Sequence, residues 1–118
     1  MRSEQWSPEL DALIAAPQHH KLMFENDLVR VLDTNIPPGE ITAVHMHRCP
    51  ASLVVVSWSD FIRYDPDGNV LLDSREQGLN FDAHSTLWSG PLAPHALRNV
   101  GKSDLHIISI EIKKQGNS

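Results

Sequence analysis

Residues 39–47 of this chain read GEITAVHMH, and residues 94–99 read PHALRN. Side chains alternate between the two faces of an extended strand, so we expect His45 and His47 on one face and Met46 on the other. Two imidazoles side by side on one face are placed to bind a single metal ion, with room for a third ligand from another strand. His95 is the candidate for that third ligand. The sequence therefore predicts a metal centre made of His45, His47 and His95.

The rest of the chain is typical of a series of short strands. Runs rich in β-branched and aromatic residues alternate with turn signals, of which DPDGN at residues 65–69 is the strongest. Strands are predicted at residues 28–33, 41–47, 52–58, 61–64, 70–72, 85–88, 95–99 and 105–112. Many short strands at this spacing indicate a sandwich or a small barrel. One short helix is predicted before them at residues 7–16, with Ser7 as its N-cap and Pro17 at its end.

The spacing of the two histidine motifs resembles that of the cupin superfamily, and specifically of its small stand-alone members. A glycine, five residues and a His-x-His pair form the first cupin motif, which Gly39, His45 and His47 match. The second motif ends in a histidine followed, after three residues, by an asparagine, which His95 and Asn99 match. The resemblance implies an all-β cupin double-stranded β-helix, that is, a jelly-roll barrel with a short N-terminal helix.

The resemblance also implies where the domain lies and how its site differs from the usual one. The N-terminal helix and arm are expected at residues 1–20 and the barrel at residues 21–114. The glutamate of the first motif would fall at Ala51 or Ser52, and neither side chain is a carboxylate. The resemblance therefore implies a centre of three histidines in place of three histidines and a glutamate. A homodimer is expected by analogy with other small cupins.

Three neutral imidazoles would leave the charge of a divalent ion uncompensated and several coordination positions open. Such positions favour a small anionic ligand, for example a carboxylate, a keto acid or an enolate. The expected cofactor is a divalent ion such as iron, zinc, nickel or manganese, and copper also suits imidazole. Similarity to the three-histidine cupin dioxygenases favours oxygenase chemistry. A metal-dependent isomerase or lyase, and a non-catalytic barrel that binds or senses a small molecule, stay open as alternatives, and so does the question of whether the protein is an enzyme.

Further polar residues are candidates for smaller roles. Tyr64 is a catalytic candidate if it faces the barrel mouth, and a packed aromatic residue otherwise. His106 shares its strand face with three isoleucines, which suggests a core residue, a hydrogen-bond partner of the site or a general base. Cys49 lies two residues after His47 and could be a soft fourth ligand, but it stands in a Cys-Pro break beyond the strand and is interpreted as structural or incidental. His19 and His20 are adjacent, which makes them a poor pair of metal ligands, and they are interpreted as solvent-exposed residues of a connector.

Composition narrows the class of partner. The chain has 118 residues, with 10 Lys and Arg against 15 Asp and Glu, and no basic run, so nucleic acid is not an expected partner. No apolar run approaches the length of a membrane-spanning helix, so no membrane association is expected. A single cysteine and the absence of an apolar leader region predict a cytoplasmic protein. The expected partners are a small-molecule ligand and a second copy of the chain.

Overall fold

The computed structural model describes residues 6–113, so the outer ends of the predicted ranges 1–20 and 21–114, at residues 1–5 and 114, lie outside the described part. Within it, nine strands form two antiparallel sheets. The strands are β1 (His20–Glu25), β2 (Val29–Ile36), β3 (His45–His47), β4 (Ala51–Ser57), β5 (Phe61–Tyr64), β6 (Val70–Asp73), β7 (Thr86–Ser89), β8 (Leu92–Asn99) and β9 (Leu105–Ile112). One sheet has the order β1-β2-β9-β4-β7 and the other the order β3-β8-β5-β6. The prediction of an all-β fold, a barrel of short strands, is confirmed.

Two parts of the barrel follow local sequence signals closely. Strands β5 and β9 begin and end at the predicted residues. The turn between β5 and β6 is the predicted hairpin, with Gly68 at a φ of 89°. The Asp65 carboxylate accepts hydrogen bonds from the backbone N–H groups of Asp67 and Asn69, both at 2.9 Å. A side chain that bonds the backbone of its own turn is the usual reason for Asp at such a position.

The N-terminal helix is shorter than predicted. A 3₁₀ turn at Pro8–Leu10 is followed by α1 (Ala12–Ala15), and the backbone leaves helical geometry between them at Asp11, where ψ is 140°. Ser7 forms no capping hydrogen bond; instead Asp11 accepts one from the N–H of Leu13 at 3.1 Å. The predicted N-cap at Ser7 is therefore wrong. No helix in residues 6–113 is long and apolar enough to cross a membrane.

Strand β1 is absent from the prediction, which placed His19 and His20 in a solvated connector. That interpretation is wrong, because only 6% of His19 and 4% of His20 is exposed. The strand pairs with β2 through an irregularity between Leu22 and Phe24. A bulge shifts the alternation of side chains by one residue. The apolar run LMF at residues 22–24 therefore shows no alternation from which a strand could be inferred.

Strand β8 also begins earlier than predicted, at Leu92 rather than at residue 95. Its pairing with β3 places His45 directly opposite His95. Of the predicted strand at 41–47, only His45–His47 forms a ladder, and Ile41 makes an isolated antiparallel bridge to Arg98. A buried apolar cluster of Ile36, Phe61 and Leu105 lies between the sheets. Ile36 and Leu105 also line the central cavity, so the core forms part of that cavity's wall.

Candidate metal centre

Four imidazole rings meet inside the barrel, where β1 and β3, the edge strands of the two sheets, lie close together. The ring of His45 is central: its centroid lies 4.5 Å from that of His20, 5.0 Å from that of His47 and 4.5 Å from that of His95. His47 lies 5.8 Å from His20 and 5.6 Å from His95. One nitrogen from each of His20, His45 and His47 lies within 4.8 Å of the others. Two predicted ligands, His45 and His47, thus lie together with His20, while the third, His95, is outside this group of nitrogens although its ring lies next to that of His45.

Each of the four rings is held by a hydrogen bond from its Nδ1 atom. The acceptors are the carbonyl oxygens of Ala16 (2.9 Å, for His20), Ala43 (2.8 Å, for His45) and Ala93 (2.8 Å, for His95), and the Glu111 carboxylate (3.2 Å, for His47). A proton on Nδ1 leaves the lone pair on Nε2. Among residues 6–113, no hydrogen bond to any of these four Nε2 atoms is present. Metal-binding histidines characteristically show this arrangement, because the Nδ1 bond sets both the tautomer and the ring orientation.

Burial keeps these imidazoles in the form that binds metals. Loss of hydration lowers the pKa of His20 to about 4, that of His45 to about 2 and that of His95 to about 3. Neighbouring histidines, and for His95 also the charge of Arg63, lower these pKa values further. The three rings are therefore neutral at physiological pH. A neutral imidazole is the form that donates its lone pair to a metal ion, so the residues present suit a divalent ion.

A buried carboxylate supports the centre from β9. Glu111, only 2% exposed, accepts a hydrogen bond from Arg30 Nε at 3.0 Å through one oxygen and contacts His47 through the other. Arg30 in turn donates to both carboxylate oxygens of Asp11, at 2.7 and 3.1 Å. Burial opposes the charge of Arg30, but these two carboxylates outweigh it and raise the pKa of the guanidinium. The chain Asp11–Arg30–Glu111–His47 thus connects the N-terminal segment to the site.

Glu111 also lies beside one position at which the motif glutamate was expected. In the ladder between β4 and β9, Glu111 lies directly opposite Ala51, one of the two positions where that glutamate was expected. Cross-strand neighbours share a face of the sheet. A carboxylate therefore reaches the same wall of the barrel from the neighbouring strand. Sequence reasoning missed Glu111, although its even spacing from Leu105, Ile107 and Ser109 on an otherwise mostly apolar strand face was a usable signal.

The central cavity measures about 120 Å³ and contains all four histidines. Its other polar wall residues are Cys49, Arg63, Thr34, Thr42, Ser89, Ser109 and Glu111. Cys49 is a free thiol whose pKa is raised by burial, so it is not a ready thiolate ligand. The remaining wall is mainly leucine and isoleucine. Such a space accommodates a small organic molecule of a few heavy atoms, well below the usual size of a drug-sized pocket.

The two predicted catalytic candidates lie elsewhere in the described residues. Tyr64 lines a separate, open cavity together with Pro66 and Arg98, while its neighbour Arg63 points into the central cavity. His106 faces outward, where its Nε2 lies 2.8 Å from Asp33 in a third, polar cavity. Of the two faces of β9, the one with Ile107 and Glu111 lines the central cavity. Neither Tyr64 nor His106 is positioned to contact a ligand beside the four histidines.

Comparison with known proteins gives the fold but no function. No protein-family model matches the chain, and no curated protein matches it. Among solved structures, it is similar to a cupin domain from Bordetella pertussis Tohama I, with a TM-score of 0.63 and 20% identity over 80% of this chain and 92% of that one. An RmlC-like cupin protein with a double-stranded β-helix from Methanocaldococcus jannaschii gives a TM-score of 0.55 at 11% identity, covering 79% of this chain and 77% of that one. The polyketide cyclase RemF from Streptomyces resistomycificus gives 0.53 at 12% identity, covering 85% and 68%.

Proposed function

Since the chain has the fold of a small stand-alone cupin, we propose that it is a metal-binding protein and a metal-dependent enzyme acting on a small anionic metabolite. The proposed ligands are His45, His47 and His95, with His20 as a fourth. One observation carries the proposal: four imidazoles meet in one cavity, and each is bonded through Nδ1, which leaves Nε2 available. A purely structural role for the histidines would give no reason for all four rings to keep Nε2 without a hydrogen-bond partner.

A divalent ion held there would act as a Lewis acid. Iron or manganese would also supply the redox activity that oxygenase chemistry requires. The chain's own residues would hold and orient the small ligand and exclude water from it. The apolar wall residues Leu53, Leu97 and Ile107 serve that exclusion. Oxygenase chemistry is the leading class in the proposal, and zinc or nickel would instead favour isomerase or lyase chemistry at the same position.

The test is metal analysis of protein purified without a histidine tag. We expect about one ion per chain after reconstitution with iron(II), zinc, nickel or manganese and removal of excess ion. Oxygen consumption by the iron-loaded protein in the presence of small carboxylic acids then separates the oxygenase class from the isomerase and lyase classes. A protein that retains none of the four ions after reconstitution would contradict the proposal.

A second candidate is a non-catalytic cupin that binds or senses a small molecule. The observation that favours it is the position of Tyr64 and His106, which leaves no predicted acid–base residue beside the cavity. If the protein binds metal and ligand but no tested acid is turned over with any of the four ions, this second function is the better account. A cytoplasmic location belongs to either proposal.

We also propose a homodimer formed through the outer face of the five-stranded sheet. One row of residues across this face is Phe24, Val31, Ile110, Ser52 and Trp88. Its end members are largely exposed, Phe24 at 53% and Trp88 at 65%. The row is apolar apart from Ser52, and its three middle members are half-buried. Exposed apolar patches mark protein interfaces. In sedimentation experiments the chain should be dimeric and the Trp88→Glu variant monomeric, whereas Leu71→Glu, on a strand of the other sheet, should stay dimeric. A monomeric wild type would contradict this proposal.

A further inference from the structure

Arg63 is a cation directed into the barrel. It lies on β5, opposite Leu97 of β8, and Leu97 and His95 are two residues apart on β8 and so share a face. Arg63, Leu97 and His95 all line the central cavity. The guanidinium therefore lies on the same inner wall as the proposed metal ligands.

Within residues 6–113, this guanidinium has no hydrogen-bond acceptor and no ion-pair partner, and its Nε is buried. The buried carboxylate in the same cavity, Glu111, is already bonded to Arg30 and His47. The ring of Phe61 lies 6.0 Å from the guanidinium carbon, at the outer limit of a cation–π contact, and offers no acceptor for the N–H groups. Arg63 is thus a half-buried cation on the wall of the central cavity, without a counter-ion among the described residues.

Such an arrangement is costly for a protein that uses the residue only for its fold. Burial lowers the pKa of Arg63, which reflects the unfavourable loss of hydration of the charged form. An uncompensated buried charge is destabilising, and native structures rarely keep one without a partner. The charge of the metal-loaded cavity would be more positive still, since four neutral imidazoles do not offset a divalent ion. Both features would be compensated by an anion inside the cavity.

We propose that Arg63 binds the carboxylate of the cavity's ligand, so that the substrate is a short carboxylic acid with a second oxygen donor directed towards the four imidazoles. This inference rests on the proposed function, because it assigns the ligand class of the same cavity. The planar guanidinium fork matches the two oxygens of a carboxylate. A cavity of about 120 Å³ restricts the acid to a few heavy atoms. Arg63 thus selects for negative charge, while the imidazole end receives the second donor.

The test uses four small probes on zinc-loaded and on metal-free protein: acetate, lactate, oxalate and the neutral amide lactamide. Calorimetry should show binding of at least one carboxylate to the wild type, with lactamide weaker than lactate. In Arg63→Met, which keeps the apolar stem and removes the charge, carboxylate affinity should fall about 10- to 100-fold, the range expected for loss of a charged hydrogen bond. Arg63→Lys should retain part of it. The matched control is Arg98→Met, which removes an exposed arginine from the neighbouring strand β8 and should leave affinity unchanged.

Zinc stoichiometry, measured on the same samples, separates this inference from the function on which it rests. Arg63→Met should bind as much zinc as the wild type, and its unliganded melting temperature should be equal or higher. The inference is overturned if no carboxylate binds the wild type more tightly than lactamide, or if Arg63→Met binds carboxylates as the wild type does. Should Arg63→Met fail to fold, the wild-type comparison of lactate with lactamide and the Arg63→Lys variant decide the matter. If the wild type itself binds no zinc, the proposed metal centre is refuted instead.

Discussion

Replacing His45 with alanine is expected to reduce the metal content from about one ion per chain to below about a tenth of that value, because it removes the central member of the cluster. His45 is the ring whose centroid lies within 5.0 Å of each of the other three, whereas His47 lies 5.6 Å and 5.8 Å from its outer neighbours. Without His45, the three remaining imidazoles lose the ring that lies next to each of them. Elemental analysis of the reconstituted variant, purified without a histidine tag, measures the effect.

Two kinds of control make this result specific. His84→Asn changes an exposed histidine with a φ of 72°, a conformation that asparagine tolerates, and should keep full metal content. His45→Gln fills more of the buried space than alanine and should also lose the ion, which separates ligand loss from loss of packing. If a folded His45→Ala protein binds as much metal as the wild type, the proposed centre is wrong.

Zinc titration of single variants decides between the two ligand sets. The sequence predicts His45, His47 and His95, while the nitrogen spacing brings together His20, His45 and His47. We expect His20→Ala and His95→Ala each to weaken zinc binding by at least about tenfold, with three imidazoles left in both cases. Unchanged zinc affinity in His95→Ala would exclude the predicted third ligand, and unchanged affinity in His20→Ala would exclude the fourth.

Replacing Glu111 with leucine is expected to lower the free energy of unfolding of the metal-free protein by about 3–5 kcal/mol, the usual cost of removing one partner of a buried ion pair. Arg30 would keep Asp11 but lose the acceptor of its Nε proton, and His47 Nδ1 would lose its carboxylate. Both groups are mostly buried, with Arg30 and His47 side chains 18% and 17% exposed. Urea unfolding monitored by circular dichroism measures the change.

Matched variants separate the effect of the Glu111 charge from that of its shape, and the effect on stability from that on zinc affinity. Glu111→Gln keeps an oxygen for His47 but removes the negative charge, so its loss of stability should be smaller. Its zinc affinity should fall about 10- to 100-fold, as for other partners of metal-binding histidines. Glu76→Leu, at an exposed position, should change stability by less than about 0.5 kcal/mol. A loss below about 1 kcal/mol in Glu111→Leu would contradict the proposed role of the ion-pair chain.

Local signals in the sequence were sufficient for much of the fold and for part of the site. The hairpin at 65–69 is specified by Asp65 and Gly68, whose preferences act over a few residues. Strands β5 and β9 follow from β-rich composition and flanking turns. Strand β1 was missed because its bulge hides the alternation. Its first residue, His20, was therefore assigned to a connector, so the sequence did not predict the fourth imidazole of the site.

The strands that carry His45, His47 and His95, and the shared face of the first two, follow from the amino-acid order alone, because alternation is a property of any extended chain. Which face of each strand lies inside the barrel becomes visible in the three-dimensional packing and not before. Both faces of β9 are rich in isoleucine or leucine, so alternation alone could not show that Glu111, and not His106, faces the central cavity. The same ambiguity on β5 made Tyr64 a candidate, whereas Arg63 is the residue that lines the cavity. The choice depends on how the two sheets pack together, since a shift by one residue turns every side chain to the opposite face.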